Sequence, residues 1–162
     1  MKLGSIEALY SIYTTHPSVV TDTRKLKAGD LYFALKGPNF NGNLFALAAL
    51  EAGAAYAIVD EAIPNSSSYK YRIIVVDVVL TTLQALAKYH RQQFNIPFIA
   101  ITGSNGKTTT KELVYAVLAS HLKTYTTQGN LNNHIGVPLT LLSIPKDAEI
   151  AVIEMGANHQ KE

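Results

Sequence analysis

Phe98-Ile99-Ala100-Ile101-Thr102-Gly103-Ser104-Asn105-Gly106-Lys107-Thr108-Thr109-Thr110 decides the fold. Five apolar or β-branched residues read as a buried strand. Gly103 to Gly106 then let the backbone turn sharply and approach a ligand closely. From Thr108 to His121 the pattern becomes helical. A glycine-rich turn between a strand and a helix is a phosphate cradle: main-chain N–H groups converge, and the helix adds its free donors and positive dipole end. Lys107 supplies a cation for the outer phosphates, and Thr108 a hydroxyl for Mg²⁺. In the common motif G-x-x-x-x-G-K-[ST], the first glycine would fall at Ile101. This chain has Gly103 instead, and the shorter G-x-x-G-K-T belongs to a subset of ATP users. The binding set is Gly103, Ser104, Asn105, Gly106, Lys107, Thr108 and Thr109. The bland alternative is a strand–helix turn with no ligand, which the run Lys107-Thr108-Thr109-Thr110 argues against.

After this loop the chain alternates. Lys123–Thr127 reads as a strand, Gln128–Gly136 as a polar loop, Pro138–Leu142 as a short helix and Glu149–Ile153 as an apolar strand ending at Glu154. Strand, helix, strand, helix, strand argues for a parallel α/β sheet. In such sheets ligands sit beyond the carboxyl ends of the strands. Glu154 is therefore a candidate to hold Mg²⁺ with Thr108, and a catalytic candidate with Lys107. The alternative is a loop-capping acid; beside the phosphate loop the metal reading is favoured. His159 carries little weight from spacing alone. In the loop Gln128–Gly136, Asn130, Asn132 and Asn133 offer amides that can grip a sugar, phosphate or carboxylate. Composition slightly favours plain turn residues there; position favours function.

Before Phe98, the reading gives a helix over Ser5–Tyr13, then Val19-Val20 and a polar turn over Thr21-Asp22-Thr23-Arg24, strands at Leu31–Leu35, Ala54–Val59 and Arg72–Val76, a loop over Lys36–Asn43, and helices over Leu44–Ala52 and Thr81–Phe94. Asn95-Ile96-Pro97 looks like a joint. The expected organisation is a small N-terminal α/β domain over 1–95 and the start of a phosphate-loop parallel-sheet domain over 96–162. Arg24 and Lys36 are candidates to meet an anion and Thr23 to hydrogen-bond it. An Asp22-capped turn with solvated basic residues is the alternative, and composition alone prefers it.

The whole chain has 162 residues, 48% of them hydrophobic, a formal charge of +2 and no cysteine. A folded chain with a real core is expected. The scattered basic residues do not suggest nucleic-acid binding. Disulfides and thiolate metal sites are excluded, which fits a reducing cytoplasm. No secretory signal is visible, and no apolar run approaches the ~20 residues of a membrane span.

Ile101–Thr109 resembles the ATP loop of the Mur ligases, which build the peptide stem of bacterial peptidoglycan. The segment Asn130–Leu142 and Glu154-Met155-Gly156-Ala157-Asn158-His159 are similar to the member of that family that acts last. Asp22-Thr23-Arg24 and Gly29–Gly37 resemble the UDP-binding domain of the last two members. Family members often carry Asp-Gly-His where this chain has Asn41-Gly42-Asn43, and an acid in place of His134. The resemblance implies an ATP- and Mg²⁺-dependent cytoplasmic ligase that joins D-alanyl-D-alanine to UDP-N-acetylmuramoyl-tripeptide through an acyl phosphate. Asn130, Asn132 and Asn133 would lie near the muramoyl-peptide, and Thr23, Arg24 and Lys36 near the UDP end. Family members are much longer, so this chain is expected to be an N-terminal fragment, inactive alone. Alternatives are a neighbouring Mur ligase, a folate polyglutamylating enzyme, or a non-catalytic nucleotide-binding module.

Overall fold

The computed structural model describes residues 2–156. Packing divides the chain into two units, Met1–Tyr89 and His90–Glu162.

The first unit is built on a four-stranded sheet. Its strands are β1 (Val19–Val20), β2 (Leu31–Phe33), β5 (Tyr56–Val59) and β6 (Ile73–Val75), in the order β1-β2-β5-β6. Every pairing is parallel. A parallel sheet needs crossovers and cover on its faces. The segments α1 (Ile6–Thr15), α2 (Ala46–Glu51) and most of α3 (Val79–Arg91) belong to this unit. Tyr32, Ala34, Ala46, Ala49, Leu50, Ala57 and Val59 form one buried cluster. Ser5 caps α1 by accepting from the Ala8 amide at 3.3 Å, as its position before the apolar pattern predicts.

Three expectations shift in this unit. Lys36–Asn43 is not a plain loop: β3 (Lys36–Gly37) pairs antiparallel with β4 (Phe40–Asn41). The helix expected from Leu44 begins as a 3₁₀ turn over Gly42–Phe45, because the Asn41 side chain accepts from the Asn43 amide at 3.0 Å and starts a tighter turn. Helix α3 starts at Val79, two residues before Thr81. The Asp60 carboxylate accepts the Val79 amide at 3.2 Å and so satisfies an otherwise orphaned donor.

The second unit carries β7 (Phe98–Ile101), α4 (Lys107–Leu118), β8 (Thr124–Thr126), α5 (Gly136–Leu142) and β9 (Ile150–Glu154). The sheet order is β7-β9-β8, all parallel. Ile144, Ala148, Ala151 and Ile153 form its core, with Phe94, Ile96, Phe98 and Tyr125 packed against it. The Arg91 guanidinium lies 3.7 Å from the centre of the Phe98 ring. Because the strands are parallel, their carboxyl ends share one edge. The glycine loop leaves β7 there, Thr127 leaves β8, and Glu154 ends β9. Gly136 opens α5 where only hydrogen fits; a Cβ there would lie 2.4 Å from the main-chain carbon of Leu131.

Candidate phosphate and anion sites

The glycine loop has the geometry its sequence implies. Gly103 and Gly106 adopt φ of +145° and +75°, values that side chains oppose. Gly106 stands at the N-cap of α4 with no side chain capping the helix. The first amides of α4 thus have no capping side chain competing with an incoming anion. Ser104, Asn105, Thr108 and Thr109 are exposed. Lys107 folds back over the loop, its Nζ donating to the Gly103 carbonyl at 2.6 Å.

Glu154 closes the floor of this site and is only 2% exposed. Its Oε1 accepts from the Thr108 hydroxyl at 3.3 Å and from the Asn132 side-chain amide at 2.7 Å. Its Oε2 is buried with no hydrogen-bond partner among the described residues. A buried carboxylate oxygen left without a donor is costly unless a cation or a further donor meets it. The strand end is pinned on both sides. The Glu154 amide donates to Thr127 Oγ1 at 2.9 Å, and the Met155 amide to the Ile101 carbonyl at 2.9 Å.

The structure brings Thr108, Asn132 and Glu154 together, although they come from three segments. Asn132 contacts the acid directly and also receives the Gly156 amide on its main-chain carbonyl at 2.6 Å. Asn133 uses its side-chain oxygen locally, accepting from the amides of Ile135 and Gly136 at 3.1 and 2.8 Å. Asn130 is exposed at the turn before them. Ala157, Asn158 and His159 lie outside the described residues. Among the described residues no cluster of three or more His, Asp or Glu forms a metal cage.

A separate groove lies within the first unit. It encloses about 500 Å³ and is lined by Thr21, Asp22, Thr23, Arg24, Phe40 and Phe45. Phe40 and Phe45 are stacked, ring centres 5.5 Å apart and 11° from parallel, yet 50% and 41% exposed. Arg24 is held by Asp22 through Nη2 at 2.7 Å. That guanidinium holds the Asp22 carboxyl down at about 2. The Tyr32 hydroxyl, buried in the same unit, donates to the Gly42 carbonyl at 2.9 Å, and burial pushes its pKa up to about 12. Lys36 stands apart from the groove lining. Its Nζ lies 3.0 Å from Asp60 and 3.2 Å from Glu61.

Sequence reasoning points to Thr23 and Arg24 but misses Phe40 and Phe45. The available signal is an aromatic residue inside a Gly- and Asn-rich stretch, where no apolar core calls for one. It also misses Thr127 and Lys111, which stand behind Glu154.

No helix among the described residues is long and apolar enough to cross a membrane. A profile described as the Mur ligase family, catalytic domain, matches residues 17–91. A second, the Mur ligase middle domain, matches residues 101–162. The chain is 47% identical to the UDP-N-acetylmuramoyl-tripeptide–D-alanyl-D-alanine ligase of Bacillus subtilis, over 89% of its own length and 31% of the relative's. Among solved structures it resembles MurF of Acinetobacter baumannii, with a TM-score of 0.82 and 40% identity, covering 90% of this chain and 31% of that one. It likewise resembles the MurF ligase of Thermotoga maritima in complex with ADP, with a TM-score of 0.77 and 36% identity, covering 88% and 32%. The chain thus spans about a third of the length of these relatives. Both of its units match one family, in the order its own fold sets them, and the chain belongs to the Mur ligase family.

Proposed function

We propose that this chain supplies the UDP-binding domain (1–95) and the start of the ATP-binding domain (96–162) of a cytoplasmic ligase of peptidoglycan precursor synthesis. The reaction joins D-alanyl-D-alanine to UDP-N-acetylmuramoyl-tripeptide and is driven by ATP. The observation that carries the reading is the buried Glu154 with one satisfied and one orphaned oxygen, set against Thr108 of the phosphate loop. The substrates are those in the names of the relatives.

The Gly103–Thr108 amides and Lys107 bind the β- and γ-phosphates, with Lys107 leaving its own loop carbonyl to do so. Thr108 and Glu154 fit Mg²⁺, which takes one or two protein oxygens and completes its shell with phosphate and water. When bound, that ion neutralises charge on the transferring phosphoryl group. The tripeptide carboxylate attacks the γ-phosphorus, the bond to the β-phosphate oxygen breaks, and ADP leaves. The amine of D-alanyl-D-alanine then attacks the acyl carbon, loses a proton, and expels inorganic phosphate. Thr23 and Arg24 face a groove suited to the UDP end, and the Phe40–Phe45 pair offers a platform for a planar base. Asn130, Asn132 and Asn133 belong to the loop beside the acid. Asn132 touches the acid itself, so its first role is to orient Glu154. Lys36 serves the UDP end only indirectly, through the hairpin it fastens.

Calorimetry tests the reading. ATP with Mg²⁺ and UDP-N-acetylmuramoyl-tripeptide should each bind the chain. Lys107→Ala should abolish the first binding and leave the second intact. ATP binding with no UDP-sugar binding would favour a simple nucleotide-binding module instead.

A further inference from the structure

Thr108 and Glu154 account for the cation, but a buried lysine beside them has no role in binding or transfer. Lys111 stands one turn after Lys107 on α4 and is 2% exposed. Lysine is almost never buried so fully unless its ammonium is held. Its Nζ lies 2.9 Å from Glu112 Oε1 and donates to the Thr127 carbonyl at 2.8 Å. Thr127 is itself 1% exposed. Its Oγ1 accepts the Glu154 amide at 2.9 Å, and its own amide donates to the Val152 carbonyl at 3.1 Å. A continuous run of hydrogen bonds therefore passes from the phosphate-loop helix, through the residue after β8, to the acid at the end of β9. It joins segments far apart in sequence, and it fixes the Glu154 main chain from the side opposite the Met155–Ile101 bond.

From this run we infer that Lys111 and Thr127 are positioning residues, which hold the main chain of Glu154 where its carboxylate meets the Thr108 hydroxyl. The inference rests on the reading of that pair as a magnesium triphosphate site. A carboxylate that serves a cation must be held to within about 0.5 Å, and supporting groups behind the ligand do the holding. The charged donor at Lys111 makes the first bond of the run a strong one. An apolar residue there would leave the Thr127 carbonyl buried and unpaired.

The test is titration of ATP into the chain with Mg²⁺ and with the metal removed by EDTA, together with amide hydrogen exchange at Glu154 in the absence of any ligand. The variants are Lys111→Met, Thr127→Val and Thr127→Ser. Wild type should gain affinity from Mg²⁺. Lys111→Met and Thr127→Val should cut that gain by roughly 10- to 100-fold, the usual effect of losing a group behind a metal ligand. Metal-free affinity should stay the same. Thr127→Ser, which keeps the hydroxyl, should restore the gain. The Glu154 amide should exchange faster in Thr127→Val. An undiminished gain in both variants overturns the inference, as does a parallel fall with and without metal, which would report only a damaged fold. Absence of any gain in wild type overturns the magnesium reading instead. Exchange at Glu154 then still judges the positioning: unchanged exchange in Thr127→Val sinks it, faster exchange upholds it.

Discussion

The side-chain amide of Asn132 donates to Glu154 Oε1 at 2.7 Å, so the asparagine loop grips the acid at the end of β9. The Thr108 hydroxyl shares the same oxygen at 3.3 Å. One oxygen of the carboxylate is thereby occupied, while the other has no partner among the described residues. Asn132→Ala removes a hydrogen bond to a charged group, worth about 1.5–3 kcal/mol. Magnesium-dependent ATP affinity should fall by roughly tenfold or more, while Asn130→Ala, at an exposed position, should change it little. Calorimetry on the two variants checks this.

Glu154→Gln keeps the shape and removes the charge. The dependence of ATP binding on Mg²⁺ should largely disappear. The melting temperature should not fall, since a buried charge with an unpaired oxygen costs more to hold than a neutral amide. Differential scanning calorimetry without ligand separates the two effects. A variant that melts far lower would show the carboxylate to be a structural partner rather than a site for a cation.

The phosphate loop is legible in the sequence because its chemistry is local. Gly103, Gly106, Lys107 and Thr108 are neighbours, and strand and helix flank them directly. Glu154 is legible because an apolar strand runs straight into it. Asn132 is legible as a polar residue but not in its role, since its partner is 22 positions away. Phe40 and Phe45 carry no periodic signal; the 3₁₀ turn between Gly42 and Phe45 is what brings the rings parallel. Lys111 is silent in the sequence, because nothing in its spacing says that the Thr127 carbonyl lies beneath it. The β3–β4 hairpin is hidden by its own composition. Gly37, Pro38, Asn39, Gly42 and Asn43 all signal a turn, and the ladder is only two residue pairs deep.

The groove makes a prediction of its own. Stacking on an aromatic ring is worth about 1–3 kcal/mol per base. Phe40→Ala should weaken UDP-N-acetylmuramoyl-tripeptide binding by roughly tenfold and leave ATP unaffected. Arg24→Ala should also weaken it, with a loss that shrinks at high salt because the guanidinium is exposed. Titrating the nucleotide-sugar into each variant at two ionic strengths is the check.

Acid should loosen the hairpin that carries Phe40. Hydrogen bonds from Asn41 and Lys36 lower the pKa of Glu61. Burial alone would raise Asp60, but hydrogen bonds from Asn43, Lys36 and the Val79 amide outweigh it and leave its pKa lowered. A carboxylate with a lowered folded pKa adds stability above its unfolded value, about 4, and loses it as the pH falls through the folded value. Lys36, raised chiefly by its hydrogen bond to Asp60, contributes below its ordinary value and is lost only in strong alkali. The contribution of these three groups to the melting temperature should therefore be constant from about pH 5 to about pH 9 and be lost below about pH 4. The fall should be shallower in Lys36→Met, which has less to lose. An equally steep acid limb in that variant would place the loss elsewhere.

A crystal structure with Mg²⁺ and a non-hydrolysable ATP analogue tests the central claim most directly. The triphosphate should lie in the concavity of Gly103–Thr108, with Lys107 Nζ turned from the Gly103 carbonyl onto phosphate and the cation between the Thr108 hydroxyl and Glu154. A triphosphate bound elsewhere, with Lys107 still on its own loop and no cation at Glu154, would contradict it.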